Sequence, residues 1–181
     1  MSRAAGRREG RERGVAKPPG PEKIRDKTMA AALKILASRA RSENQLRERL
    51  MTKPWADPEA VEGCIARLKE LGYVDDSRFA QSYASSRLSL RAVGRGRLAR
   101  ELASKRVTRK TIDEALDQVF DEVGEEGLID RAIQKRVRTH GRPVDRAGAK
   151  RLFDHLVRLG FEYDLIIRKL RALKADAEDE R

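Results

Sequence analysis

The stretch RLARELASKRV, residues 97–107, places Leu98 and Leu102 four residues apart and ends on a valine, with basic residues at many of the other positions. Leucines at this spacing lie on one face of an α-helix, so the stretch predicts a short helix followed by a turn. The same pattern recurs as QLRERLMTKPW at residues 45–55 and as RLFDHLVRLGF at residues 151–161. Three copies at nearly equal separation predict tandem structural repeats.

A second apolar stripe follows each copy, and a further helical segment precedes it. The stripes consist of Val61, Ile65 and Leu68; of Ile112, Leu116 and Val119; and of Ile166, Leu170 and Leu173. Two short amphipathic helices cannot bury their apolar faces alone, so each unit needs a third helix and contacts with its neighbours. The sequence therefore predicts an all-α protein of three tandem three-helix repeats in an elongated, curved arrangement.

The boundaries follow from composition and periodicity. Residues 1–28 contain nine Lys or Arg and few large aliphatic residues, which predicts a disordered basic N-terminal tail. The predicted repeats and the charged C-terminal tail after them cover residues 29–74, 75–122, 123–175 and 176–181.

Residues that favour helix ends support these units. Ser42 with Gln45 matches a capping box, and Asp57 followed by a proline suits the first positions of a helix. Gly72 and Gly160 are suited to helix C-termini. The bulky residue at the end of each copy, such as Trp55, is expected in the core and not on a base-stacking surface.

The 41 Lys and Arg residues exceed the 29 Asp and Glu residues, and the formal net charge of +12 favours a nucleic acid or an acidic protein surface as partner. Cys64 is the single cysteine, which excludes an internal disulfide framework, and we expect it in the core. With His140 and His155 it cannot form a common zinc site. No secretory signal and no apolar run long enough for a membrane is found, which predicts a soluble cytoplasmic protein.

Charge is arranged in blocks along the chain. Residues 87–110 hold nine Lys or Arg and one acid, residues 111–130 hold eight acids and no base, and residues 131–151 are again basic. The blocks are interpreted either as ordinary solvated helix faces or as a surface that contacts phosphates or acidic groups. With the leucine pair turned inward, Arg97 and Arg100 should face outward. The candidate contact residues are Arg87, Arg91, Arg95, Arg97, Arg100, Arg106, Arg109, Lys110, Arg131, Lys135 and Arg138.

No set of catalytic residues, phosphate-binding loop or cofactor motif accompanies the two histidines, so the chain is not expected to be an enzyme or to need a cofactor or metal.

Several segments resemble the RecX family of bacterial regulatory proteins. They are LASRARSENQLRERL at residues 36–50, LKELGYVDDSRFAQSYASSR at 68–87 and GRGRLARELASKRV at 94–107. AKRLFDHLVRLGFEYDLIIRKL at 149–170 is similar to the C-terminal repeat of that family, so the resemblance covers about residues 29–174.

The resemblance implies three three-helix repeats and a role in RecA regulation, DNA repair, recombination and the SOS response. It implies binding to the RecA filament on single-stranded DNA and inhibition of RecA ATP hydrolysis and strand exchange, with double-stranded DNA left open as a further partner. A monomer is expected. The alternative is an independent nucleic-acid-binding protein without sequence preference.

One departure concerns the turn after the middle leucine pair. The family usually has Lys-Gly where this chain has Lys105-Arg106, so a left-handed helix end at this position is in question.

Overall fold

The computed structural model describes residues 20–179 of the chain, and its side chains are described through residue 175. Within this range all regular structure is helical, as predicted. The helices are α1 (Pro21–Ser38), α2 (Glu43–Met51), α3 (Pro58–Glu70), α4 (Asp76–Leu90), α5 (Arg95–Ala103), α6 (Arg109–Val123), α7 (Glu125–His140), α8 (Arg146–Leu159) and α9 (Tyr163–Asp179).

The helices form three consecutive units of three. Unit 1 contains α1–α3, unit 2 contains α4–α6 and unit 3 contains α7–α9, and helices within each unit pack on one another. The described hydrogen bonds and ion pairs that leave unit 1 all end on unit 2. The predicted tandem array of three-helix units is therefore confirmed.

Local signals placed most helix ends correctly. Ser42 and Gln45 form a capping box at the start of α2, and the Asp57 carboxylate accepts a hydrogen bond from the backbone N–H of Ala60 at 2.8 Å. Gly72 and Gly160 have φ angles of +72° and +89° after α3 and α8, in the region that glycine adopts most easily.

The predicted boundary of the N-terminal tail at residue 28 was wrong, because α1 begins at Pro21. Proline at the first position of a helix has no N–H to leave unpaired, and its φ suits the helix, so Pro21 was an overlooked start signal. Thr28 is fully buried, and its hydroxyl donates to the carbonyl oxygen of Ile24 at 2.8 Å. The rest of the predicted tail, residues 1–19, lies outside the described residues.

Part of the predicted charged C-terminal tail at residues 176–181 continues the last helix. The backbone of α9 continues to Asp179, so residues 176–179 are helical, and residues 180–181 lie outside the described part of the chain. Alanines and long charged side chains are good helix formers, so charge alone does not end a helix.

The leucine pairs of all three copies are buried, as are the stripes of units 1 and 2. In unit 3 only Ile166 of the predicted stripe is buried, whereas Leu170 and Leu173 pack partly exposed against the core. Trp55 also departs from its prediction: it is half-buried and lies outside the core cluster of unit 1, although the equivalent Val107 and Phe161 are buried.

The buried apolar residues form two clusters. One lies within unit 1 and includes Cys64, which is buried as predicted. The other runs without interruption through units 2 and 3, so that Leu98 of α5 and Phe161 of the α8–α9 turn belong to the same core.

Candidate partner-binding surface

Glu101 is the single acid of the first basic block, and three hydrogen-bond donors surround its carboxylate. Its carboxylate accepts from Arg87 Nε at 2.9 Å, from Arg97 Nε at 3.0 Å and from the Tyr83 hydroxyl at 2.8 Å. Burial opposes ionisation of Glu101, but these hydrogen bonds outweigh it and lower its pKa from 4.5 to about 2. Two of the predicted contact residues, Arg87 and Arg97, are therefore held within unit 2.

Arg95 is also engaged inside the protein. Its guanidinium lies 2.7 Å from Asp117 of α6, and its backbone N–H donates to the Glu125 carboxylate at 3.1 Å. The acidic block of residues 111–130 thus faces part of the basic block before it. The two blocks looked separate along the sequence, but the packing of α5 on α6 brings them together.

Two further candidates at the start of α6 pair with acids one turn later. Arg109 Nε lies 2.8 Å from Asp113, and Lys110 Nζ lies 3.9 Å from Glu114. Both cations are strongly exposed, so these pairs contribute little stability and can exchange for an external anion.

Arg106 closes the turn that the sequence left in question. Its φ of +64° is left-handed, so the helix end forms with an arginine where the family usually has glycine. Its carbonyl oxygen accepts from Asn44 Nδ2 at 2.8 Å, and its guanidinium lies 3.2 Å from Glu48. Arg106 is therefore a junction residue between units 1 and 2.

The remaining five candidates have exposed side chains and no described hydrogen bond or ion pair at their charged groups. They are Arg91, Arg100, Arg131, Lys135 and Arg138. The structure thus separates the eleven predicted contact residues into six that already have acidic or backbone partners and five that are available to an external anion.

Arg97 and Arg100 differ in a way that the helical wheel did not show. Arg100 is exposed as expected, but the side chain of Arg97 is 33% exposed and paired with Glu101. Arg97, Arg100 and Arg158 of α8 line a cleft of about 330 Å³. Arg158 was not predicted as a contact residue, because only tertiary packing brings α8 beside α5.

Three of the available cations lie on one face of α7. Arg131, Lys135 and Arg138 follow i, i+4, i+7 spacing, whereas Ile129 and Ile133 bury the opposite side of the helix; the cationic stripe begins one turn after the buried Leu128. The face is exposed and carries three positive charges over two turns. Such a surface can hold successive phosphates or carboxylates by charge-assisted hydrogen bonds.

Among the described residues, no group of three His, Cys, Asp or Glu side chains is arranged to hold a metal ion. None of the described helices is both long and apolar enough to cross a membrane.

Comparisons with a family model and with similar proteins all point to the same family. Residues 75–116, which fall in unit 2, match the family model described as "RecX, second three-helix domain". The chain is 34% identical over 155 residues to "Regulatory protein RecX" of Streptomyces coelicolor, which covers 85% of this chain and 81% of the relative. It is also 34% identical over 165 residues to the protein of that name from Halorhodospira halophila, covering 88% and 92%.

Solved structures agree on the fold. The crystal structure of RecX from Lactobacillus salivarius superposes with a TM-score of 0.76 over 85% of this chain and 99% of the other, at 19% identity. A second crystal structure, of regulatory protein RecX, gives a TM-score of 0.69 over 80% of this chain and 70% of the other, at 23% identity.

Proposed function

This chain belongs to the RecX family of regulatory proteins, and we propose that it binds the RecA filament on single-stranded DNA and lowers its ATP hydrolysis and strand exchange. In this proposal it acts in the cytoplasm as a monomer, by binding and not by catalysis. The partner is brought from the family, and the structure contributes a candidate for the surface that meets it.

The observation that supports the proposal most directly is the cationic face of α7. Arg131, Lys135 and Arg138 project from a helix whose other side is anchored in the shared core of units 2 and 3. No described acid neutralises them, so their interaction with phosphates is not offset by the loss of an internal ion pair. The backbone that carries these cations is already ordered in the helix, so binding needs to order only their side chains.

The six paired candidates contribute differently in this proposal. Reversing the charge of Arg95 or Arg97 would place like charges beside Asp117 and Glu101, and so would disturb the packing of unit 2. A loss of activity in such a variant would not distinguish a contact residue from a structural one. The α7 face allows a cleaner test because its side chains have no internal role.

The experiment measures the DNA-dependent ATPase of RecA with increasing amounts of three proteins. They are the parent, a variant with Arg131→Glu, Lys135→Glu and Arg138→Glu, and a control with Lys23→Glu, Lys27→Glu and Lys34→Glu. The control changes three exposed cations of α1 and shifts the net charge by the same amount. We expect inhibition by the parent and the control and a strong loss of inhibition in the α7 variant, with unchanged circular dichroism in all three.

Salt dependence separates DNA contacts from RecA contacts. If the three cations touch phosphates of a single strand, the slope of log binding constant against log salt should fall by about two units in the α7 variant. If they touch acidic groups of RecA, filament inhibition should fall more than binding to free DNA. A folded α7 variant that inhibits like the parent would place the contact surface elsewhere.

The parent protein tests the function itself. No change in RecA ATPase at saturating protein, together with salt-sensitive binding to free oligonucleotides, would favour the alternative of an independent nucleic-acid-binding protein.

A further inference from the structure

A groove of about 750 Å³ lies where unit 1 meets unit 2. One wall is formed by α1 and the segment after it, and the other by α4 and the α5–α6 turn. Its lining has an apolar part and a cationic part. The candidate contact residues discussed above do not line this groove, and the proposed role of α7 does not use it.

The apolar part contains large apolar side chains that remain exposed to solvent. Leu33 is 42% exposed and Tyr73 is 61% exposed, beside Leu36, Phe79 and Tyr83. Aromatic residues are few and dispersed in the sequence, but the fold gathers three of them in this groove. Apolar side chains on opposite walls of a concave surface are suited to hold an aliphatic or aromatic anchor.

The cationic part carries Arg39, Arg41, Arg78 and Lys105, whereas Asp75 is the one carboxylate of the described lining. The Asp75 side chain is already used as the cap of α4, since it accepts from the backbone N–H of Arg78 at 2.9 Å. The groove therefore holds four positive charges and one negative charge, and it is complementary to an acidic partner.

The positive charges of Arg41 and Lys105 are in unfavourable surroundings when the groove is empty. Arg41 Nε is buried and has no hydrogen-bond acceptor, an arrangement that is costly and rare in folded proteins. Burial and the nearby Arg49 and Arg39 lower the pKa of Arg41, and burial and Arg39 lower the pKa of Lys105. A carboxylate in the groove would offset the repulsion among these cations.

The aromatic geometry favours a protein segment over a single nucleic-acid strand. The Phe79 and Tyr83 rings stack on each other with centroids 6.3 Å apart, and Lys105 Nζ lies 4.6 Å from the centre of the Tyr83 ring. Tyr73 is the one exposed ring of the described groove lining, whereas Phe79 and Tyr83 are partly buried. Single-strand binding grooves stack successive bases on successive open rings, and this groove does not offer such a series.

We propose that the groove binds an acidic protein segment that carries an aliphatic or aromatic anchor between its carboxylates. The anchor would pack against Leu33 and Tyr73, and the carboxylates would pair with Arg39, Arg41 and Arg78. This surface is separate from the α7 face, so the proposal does not depend on RecA being the partner.

The test uses full-length protein and fluorescent probes followed by anisotropy. The first probe is a short peptide that alternates Glu with Leu and Phe, the second replaces its Leu and Phe with Ala, and the third is oligothymidine. We expect the first peptide to bind, and binding to weaken about tenfold or more in an Arg39→Glu, Tyr73→Ser variant, which corresponds to about 1.4 kcal/mol.

Two further variants make the result interpretable. Leu33→Ser alone should weaken the first peptide and leave helical content unchanged, because its side chain is already partly exposed. The control Val144→Ser, Arg171→Glu removes an exposed apolar residue and an exposed cation from unit 3, and should bind like the parent.

Three outcomes would overturn the proposal. One is equal binding of the first and second peptides, which would mean that no anchor site exists. Another is that oligothymidine binds, the first peptide does not, and the Arg39→Glu, Tyr73→Ser variant loses the binding of oligothymidine. The third is peptide binding that the groove variants do not change. None of these outcomes bears on inhibition of RecA by the α7 face, so the two proposals fail separately.

Discussion

Units 2 and 3 meet through apolar side chains and closely packed backbone, whereas units 1 and 2 meet through hydrogen bonds between polar groups. At the first junction the backbone N–H groups of Gly94 and Gly96 donate to the carbonyl oxygens of Leu159 and Gly160, each at 2.9 Å. The apolar core continues across this junction without a break.

The other junction has a different construction. The Ser42 hydroxyl donates to the Lys105 carbonyl oxygen, Asn44 donates to the Arg106 carbonyl oxygen, and the backbone N–H of Glu43 donates to Asp76 at 2.7 Å. The start of α2 therefore satisfies carbonyl groups left free at the end of α5. The apolar core of unit 1 remains separate from that of units 2 and 3.

This difference indicates which parts of the chain move together. A continuous core is lost or kept as a whole, so units 2 and 3 should unfold as one body. A polar junction contributes about 1 kcal/mol for each net hydrogen bond, which allows unit 1 to change its orientation or unfold by itself. The groove lined by Leu33 and Tyr83 lies at this weaker junction, where a bound protein segment would add contacts between the two units.

The strongest test of the comparison is Leu102→Asp. A buried carboxylate without a partner costs several kcal/mol, so this change should unfold unit 2 and, through the shared core, unit 3. Hydrogen exchange should show loss of amide protection in both units while α1–α3 remain protected. The matched change Leu50→Asp should affect unit 1 only. Unit 3 amides that stay protected in Leu102→Asp would contradict the single body.

Gly94→Ala should give the next largest effect. A Cβ at Gly94 would lie 2.4 Å from the Gly160 carbonyl oxygen and from the Phe161 nitrogen, both of which are backbone atoms. We expect a loss of roughly 3 kcal/mol in the free energy of unfolding of units 2 and 3. Gly63→Ala is the control, because its Cβ meets nothing within 4 Å and should stabilise α3 by about 0.5–1 kcal/mol. Urea unfolding would measure both, and equal effects would show that the close approach is not required.

Ser42→Ala measures the polar junction. It removes the cap of α2 and the hydrogen bond to Lys105, so we expect a loss of about 2 kcal/mol in the stability of unit 1. Thr108→Ala is the matched control, because Thr108 caps α6 in the same way without a described bond to another unit. It should cost about 1 kcal/mol. If both variants lose the same stability, the Ser42 hydroxyl contributes nothing to the junction.

Arg106→Gly should have the smallest effect and the opposite sign. Glycine adopts the φ of +64° without a Cβ clash, so relief of strain should stabilise the turn by about 1 kcal/mol. The exposed ion pair with Glu48 offsets less than about 1 kcal/mol. Thermal unfolding would measure the gain, and Glu48→Gln isolates the contribution of the ion pair. A destabilised Arg106→Gly variant would show that the arginine side chain holds the junction.

The sequence by itself determined the helices, their grouping in threes and most of their ends. Leucine spacing, capping residues and C-terminal glycines act through contacts within a few residues, so the linear order contains this information. Gly72, for example, was predicted at a helix end because glycine adopts the left-handed backbone conformation there without help from tertiary contacts. Pro21 is also a local signal for the start of a helix. The strongly charged composition around it indicated a disordered tail instead.

The tertiary structure decided which charges are available wherever the paired acid lies on another helix, whereas pairs such as Arg97 with Glu101 follow from i, i+4 spacing within one helix. Arg87 and Arg95 looked like Arg100 and Arg131 in the sequence, but the packing of the helices brings Glu101 of α5 to the first and Asp117 of α6 to the second. Charge pairing depends on distances of a few ångströms between side chains that can be far apart in the chain, and net charge over a block does not report such distances. The same reason applies to the two junctions: leucine pairs that are alike in sequence lie in separate or shared cores according to which neighbouring unit packs against them.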